Sequence, residues 1–246
     1  MKKTTKAVAA LMLMTAVVCA AGCKKQEPSS GSFNGHEYVD LGLPSGAMWA
    51  TGNVEAGNAK GYYSYFAWGE IHTKSAYTWE NYKWNIGDGI YGVKLTKYCY
   101  IPAYGYDNFT DNLTELEADD DPATVYWGEG WHTPTIEEWQ ELLDNCAYTW
   151  TKHNGVYGGL FTASNGNTLF LPGAGYMDRP EVGEAGGLLN EKYVGNYWAK
   201  SLSMGLSWMD ETPNYVYSLY FNIGIATIDP FQRCLGMTIR PVHSAN

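Results

Sequence analysis

Apolar residues come mostly in short runs along this chain, and one stretch carries a sustained helical period. In residues 127–146, WGEGWHTPTIEEWQELLDNC, the residues Ile136, Trp139, Leu142, Leu143 and Cys146 fall on one helical face. Thr135 stands where an N-cap belongs, and Glu138 follows three residues later, which is the capping-box spacing. A shorter helix start lies just upstream. Asp121 can cap it, and Pro122 suits its first turn, because that turn needs no amide donor.

The remaining pattern predicts strands and turns. Residues 37–41 alternate, 42–46 (GLPSG) read as a turn, and 47–51 read as a second strand. Residues 61–70 are aromatic and end in a turn, and residues 77–84 carry four aromatics with weak helical periodicity, so the latter read as irregular. Short strands are expected at 148–151, 159–162 and 169–171, then a glycine-rich loop over 173–195. Residues 216–221, 223–228 and 235–242 predict a closing antiparallel meander. The class is therefore α+β, with one or two helices among short antiparallel strands. No repeat of fixed period is present.

The N-terminus predicts an address. Lys2, Lys3 and Lys6 precede an apolar run over residues 7–21 that is short for a membrane span. The run ends in Ala20-Ala21-Gly22-Cys23, which resembles a bacterial lipobox. That resemblance implies a signal peptide over 1–22 and lipidation of Cys23. Residues 23–33, polar with Ser and Pro, read as a flexible tether. One domain is expected over 34–246, outside the cytoplasm and anchored to the cell envelope, with the outer membrane the favoured site.

Charge and composition narrow the partners. Three of the 16 Lys and Arg residues leave with the signal peptide, so the mature chain carries 13 against 26 Asp and Glu, a formal charge of −13. Such a chain repels nucleic acid, and its contact with the membrane is expected through the lipid alone. With 20 Tyr, 10 Trp and 28 Gly, the composition suits wide contact surfaces rather than disorder. Cys99, Cys146 and Cys234 remain in the mature domain beyond Cys23. A Cys99–Cys146 disulfide and buried thiols are both compatible with the sequence.

Six blocks occur in order: EYVDLGLPSG, YFAWGE, WGEGWHTPTIEEWQELL, LPGAGY, GNYW and RCLGMTIRPV. Together they resemble the Fibrobacter succinogenes major paralogous domain found in Bacteroidetes lipoproteins. The third and last blocks are also similar, more distantly, to formylglycine-generating enzymes and C-type-lectin-like domains. The resemblance implies a C-type-lectin-like fold. Lectin-like domains with this type of C-terminus include the variable proteins of diversity-generating retroelements, whose binding residues vary within such a segment, here 196–235. Cys234 and Leu235, where the family often has aromatics, are compatible with diversification and equally with drift.

Catalytic chemistry finds little support. The enzyme relatives use a C-terminal cysteine pair, and only Cys234 lies in that region. Glu137, Glu138 and Glu141 suit the start and solvent face of a helix better than acid–base work. No zinc-ligand spacing is present, so no metal is expected, although the acidic run 117–121 leaves calcium open. The expected function is binding of a glycan or a protein on a neighbouring surface by C-terminal loops. Trp208, Asp210, Tyr215, Asn222, Asp229 and Phe231 are the candidate contacts, aromatics giving area and Asp and Asn giving hydrogen bonds. A structural or tip subunit of a surface assembly is the alternative, and a cryptic enzyme the third reading.

Overall fold

A computed structural model describes residues 30–55, 63–89, 92–178, 187–205 and 212–244. The expected signal peptide over 1–22 and Cys23 therefore lie outside the described residues. Among the described residues the fold is mostly antiparallel sheet with two α-helices, in keeping with the α+β expectation. Strands β1 (Ser30–Phe33), β2 (His36–Asp40) and β3 (Ala47–Ala50) open the chain. Helix α1 (Pro122–Trp127), β4 (Trp131–His132) and helix α2 (Ile136–Asn145) follow a long irregular stretch. Then come β5 (Cys146–His153), β6 (Val156–Ala163), β7 (Thr168–Pro172), β8 (Tyr176–Met177) and β9 (Leu188–Leu189). The last strands are β10 (Val194–Leu202), β11 (Tyr215–Asn222), β12 (Ala226–Gln232) and β13 (Val242–Ser244).

The strands form sheets β1-β2-β3-β13-β4, β5-β6-β7, β10-β11-β12 and a small β8-β9 pair. The closing meander is thus β10-β11-β12, and β13 instead joins the N-terminal hairpin, pairing Val242 with Trp49. Most of residues 235–241 is linked only by isolated bridges and single hydrogen bonds rather than forming the expected strand. Strand β1 pairs with β2 within the stretch expected to be tether.

Both helices begin as their sequences dictate. The Asp121 carboxylate accepts from the Ala123 amide and from Thr133, anchoring α1 to the segment that leads into α2. Thr135 Oγ1 accepts from the Glu138 amide while the Glu138 carboxylate accepts from the Thr135 amide, closing the capping box. Trp139 and Leu142 are buried, and Ile136 and Leu143 flank them. Cys146 ends the helix, and the chain passes directly into β5.

The β10-β11-β12 sheet is packed on both faces. Tyr197, Ala199, Leu219 and Phe221 point toward α2, Phe161 and Leu171. Trp198, Leu202 and Val216 point the other way, toward Phe66, Trp68 and Met237. Strand β10 is buried at every position but Lys200, so it lacks the polar alternation of a half-exposed strand. That is why its first residues read as loop. A Cβ on Gly195 would come within 2.0 Å of the Phe221 ring, so glycine there lets the ring lie flat on the sheet.

Residues 63–89 and 92–120 contain only short 3-10 turns, yet bury Trp68, Tyr77, Trp79, Tyr82, Leu95 and Tyr98. With no ladder, side chains must satisfy the backbone. Asp111 accepts from the amides of Tyr98, Cys99 and Leu113. Asn85 accepts from Gly87 and Lys94 and donates to the Trp79 carbonyl. Arg233, fully buried, joins this region to the C-terminal strands. Its Nε donates to Tyr82 Oη at 2.7 Å, Nη1 to the carbonyls of Tyr98 (2.9 Å) and Pro213 (3.0 Å), and Nη2 to that of Lys97 (3.2 Å). The rings of Trp68, Tyr82 and Tyr98 surround it at 4.9–5.7 Å.

Cys99 and Cys146 are free thiols, so the compatible disulfide is not formed. The acidic run is also spoken for. Asp120 accepts from Lys83, Lys97 and Tyr98, and Lys97 pairs with Glu117 as well. Those ammoniums hold the Asp120 carboxyl below its usual range against the opposing effect of burial. Among the described residues no group of three acidic, His or Cys side chains is placed to hold a metal.

Truncating Arg233 orphans several buried acceptors and opens a cavity. Arg233→Ala is expected to cost at least about 3 kcal/mol in urea unfolding. Arg233→Lys should recover little of it, because a lysine cannot reproduce the planar fork. A loss below about 1 kcal/mol in the alanine variant would contradict the linking role.

Candidate functional site

Three tight turns converge at one end of the sheets. The first joins β5 to β6 through Asn154 and Gly155, both with positive φ, as a two-residue hairpin requires. The second, Asn190–Tyr193, leads into β10 and holds Asn190 and Lys192 in left-handed conformations. Its Tyr193 amide donates to the Asn190 carbonyl, and the Lys192 amide to the Gly173 carbonyl. Gly175 permits this docking, since a Cβ there would lie 2.1 Å from the Leu189 carbonyl oxygen. The third turn joins β11 to β12. Asn222 Oδ1 accepts from the amides of Gly224 (2.8 Å) and Ile225 (3.2 Å).

Between these turns lies a groove of about 570 Å3 lined by Trp150, Tyr157, Lys192, Tyr193, Asn222 and Ile223. It is unusually apolar for a surface built from turns. Tyr193 is 74% exposed, Ile223 82% and Tyr157 43%. The supports are fixed: Trp150 packs on Phe221, and Tyr148 donates its hydroxyl to the Asn222 carbonyl. A second cleft of about 410 Å3 continues from the first, sharing Tyr157 and Lys192 and adding Tyr63, Lys152, Asn154 and Glu191. Lys152 lies over the Tyr157 ring, 5.1 Å from its centre. Chemically, the combined groove offers aromatic faces, two ammoniums, one carboxylate and amide groups. It can stack on a ring and hydrogen-bond its substituents.

Of the expected contacts, Trp208 and Asp210 lie outside the described residues. Asn222 borders the groove, but its side chain is committed to the turn and to Tyr220 Oη at 2.9 Å. Asp229 and Phe231 share one face of the sheet with Asn222 and Tyr220, because strand side chains alternate. Phe231 stacks on Tyr220 and tilts against Tyr176. Tyr215 begins β11, on the opposite face and roughly 23 Å from Asn222 along the strand. The four described residues are therefore not one site. Asn222, Asp229 and Phe231 form a half-buried face, and Tyr215 stands apart.

The groove residues that sequence reasoning passed over are Trp150, Tyr157, Lys192, Tyr193 and Ile223. A signal for two of them was present. Ile223 and Tyr193 are large apolar residues in turns, where Gly, Asn and Asp ordinarily dominate. Reading 223–228 as a strand hid that anomaly, since residues 223–225 are the turn.

A larger groove of about 740 Å3 runs between α2 and β12, lined by Glu137, Glu141, Asp144, Leu143 and Ile228 among others. Glu141 is partly spent there on the amide and hydroxyl of Ser45. This groove offers carboxylates without aromatic faces. Comparison with family models, curated proteins and solved structures gave no match.

Burial pushes the Asp229 carboxyl above its ordinary value. A carboxyl with a raised folded-state pKa contributes stability at low pH and loses it as pH rises through that pKa. Asp229→Asn is therefore expected to be more stable than the parent at pH 7, with the gain vanishing below about pH 3.8. Chemical unfolding across this range checks it, and a destabilised variant at neutral pH would contradict it.

Proposed function

We propose that this chain is a lipid-anchored, extracytoplasmic binding protein that takes a glycan in the groove between the three turns. The observation that carries the reading is the exposure of Tyr193, Tyr157 and Ile223 on turns held rigidly by hydrogen bonds. Rigid aromatics lose little entropy on contact, and their faces suit the C–H surface of a pyranose. The lipobox-like Cys23 and the segment after it would tether the domain to the cell envelope, the outer membrane first. A C-type-lectin-like fold is the scaffold we assign. The ordered blocks, the capped α2 ahead of the sheets and the buried closing block support it.

Binding without turnover is favoured by the groove's chemistry. Glu191 is its one carboxylate among the described lining residues, whereas cleavage of a glycosidic bond ordinarily uses a pair. A role as a subunit of a surface assembly is the second reading. The edge strand β12 beside the acidic groove favours it, although Pro230 blunts that edge for strand addition.

The soluble chain from Lys24 onward, screened on a glycan array and followed by calorimetry, tests the first reading. Tyr193→Ala and Ile223→Ser are exposed changes that should leave folding intact and weaken binding about tenfold each, roughly 1.4 kcal/mol. No glycan retained on the array, or binding unchanged in both variants, would overturn it. Co-purification of envelope proteins in place of glycan would favour the assembly role.

A further inference from the structure

We infer that the groove selects anionic glycans, with Lys152 and Lys192 receiving the acidic substituents while Tyr157 and Tyr193 carry the sugar face. The inference rests on the glycan-binding reading and adds the ligand's charge. It starts from where this acidic chain places its few cations. Lys74 pairs with Glu70, and Lys83 and Lys97 converge on Asp120. Lys94 donates to the Ala103 carbonyl. Arg233 and Arg240 are buried against hydroxyl, carbonyl and amide oxygens. Lys152, Lys192 and Lys200 form no ion pair among the described residues, and of these three Lys152 and Lys192 line the same cleft.

Their placement is specific to the groove. Lys152 extends from the β5 end over Tyr157, and Lys192 comes from the left-handed turn that also presents Tyr193. Two ammoniums from separate elements therefore border one aromatic surface, against the single carboxylate of Glu191. In a mature chain of formal charge −13 the overall field repels anions. A local pair of unneutralised lysines beside stacking rings reverses that sign where a ligand would sit. The groove between α2 and β12 has the opposite character, with Glu137 and Asp144 on its wall. A neutral sugar would gain from the rings alone. A carboxylated or sulfated sugar gains from the rings and the lysines together.

Three oligosaccharides of similar length test this: an oligogalacturonate, a chondroitin sulfate oligomer and neutral maltotetraose. Each is titrated by calorimetry at 20 and 300 mM salt. At least one anionic oligomer should bind about tenfold more tightly than the neutral one at low salt, with the preference shrinking at high salt. The carboxylate and sulfate arms identify which acid is taken. Lys152→Gln with Lys192→Gln should erase the anionic preference and its salt dependence, while Tyr193→Ala weakens every ligand. Equal binding of neutral and anionic oligomers, or a preference indifferent to the lysine changes, overturns the inference and leaves the glycan reading standing. No binding of any oligomer here, together with no glycan retained on the array, overturns both.

Discussion

A single buried guanidinium ties together parts of this fold that otherwise meet only through isolated bridges, single hydrogen bonds and packing. Residues 63–89 and 92–120 carry six of the fourteen buried aromatic side chains among the described residues, without a named strand or α-helix to organise them. Arg233 donates into that region at three points and to Pro213 beside β11, with three aromatic rings enclosing its charge. No carboxylate is among these partners. The charge is offset by carbonyl dipoles, a phenol and ring faces, which can be satisfied in a dry interior without a second buried ion. Only an arginine has enough donors in a fixed plane to reach all four acceptors. Arg240 repeats the device on the other side of the closing block, bonding Asn53 and the Ala50 carbonyl beside β3. The block RCLGMTIRPV is thus a seam between modules, which explains why so little of it needs regular pairing.

The seam leaves the central sheet free to present its ends. Because β10 and β11 are buried on both faces, they are rigid, and the turns at their ends inherit that rigidity. Gly195 and Gly175 matter for this reason: one admits the Phe221 ring and the other admits the 190–193 turn. Rigid turns can hold Tyr193 and Ile223 in water without collapse onto the surface. Exposed apolar side chains on such a support are the usual mark of a contact surface.

What could be read in the sequence follows from how local each feature is. The capping box of Thr135 and Glu138, the Asp121–Pro122 start and the 42–46 turn are written within a few residues, and all three have the expected geometry. Strand β10 was not legible, because burial on both faces removes the alternation that identifies a strand. The same limit made residues 235–242 look like a strand, when their apolar character reflects burial in a seam. The four described candidate contacts do not cluster, for a related reason. Phe231 lies near the C-terminus in sequence but is half-buried against Tyr176 and Tyr220, a placement that its own position along the chain does not reveal. The groove joins residues from positions 150, 157, 193 and 223, and only the sheet register brings them together.

Chemical-shift mapping tests the central claim most directly. An isotopically labelled soluble domain, titrated with an oligosaccharide it retains, should show its largest shifts at the Trp150 indole and at the amides of Tyr157, Lys192, Tyr193 and Ile223. The α2 face and the Asp229–Phe231 face should stay unchanged. Shifts concentrated along Glu137, Gln140 and Asp144 beside β12, or spread evenly over the surface, would contradict a binding groove formed by the three turns.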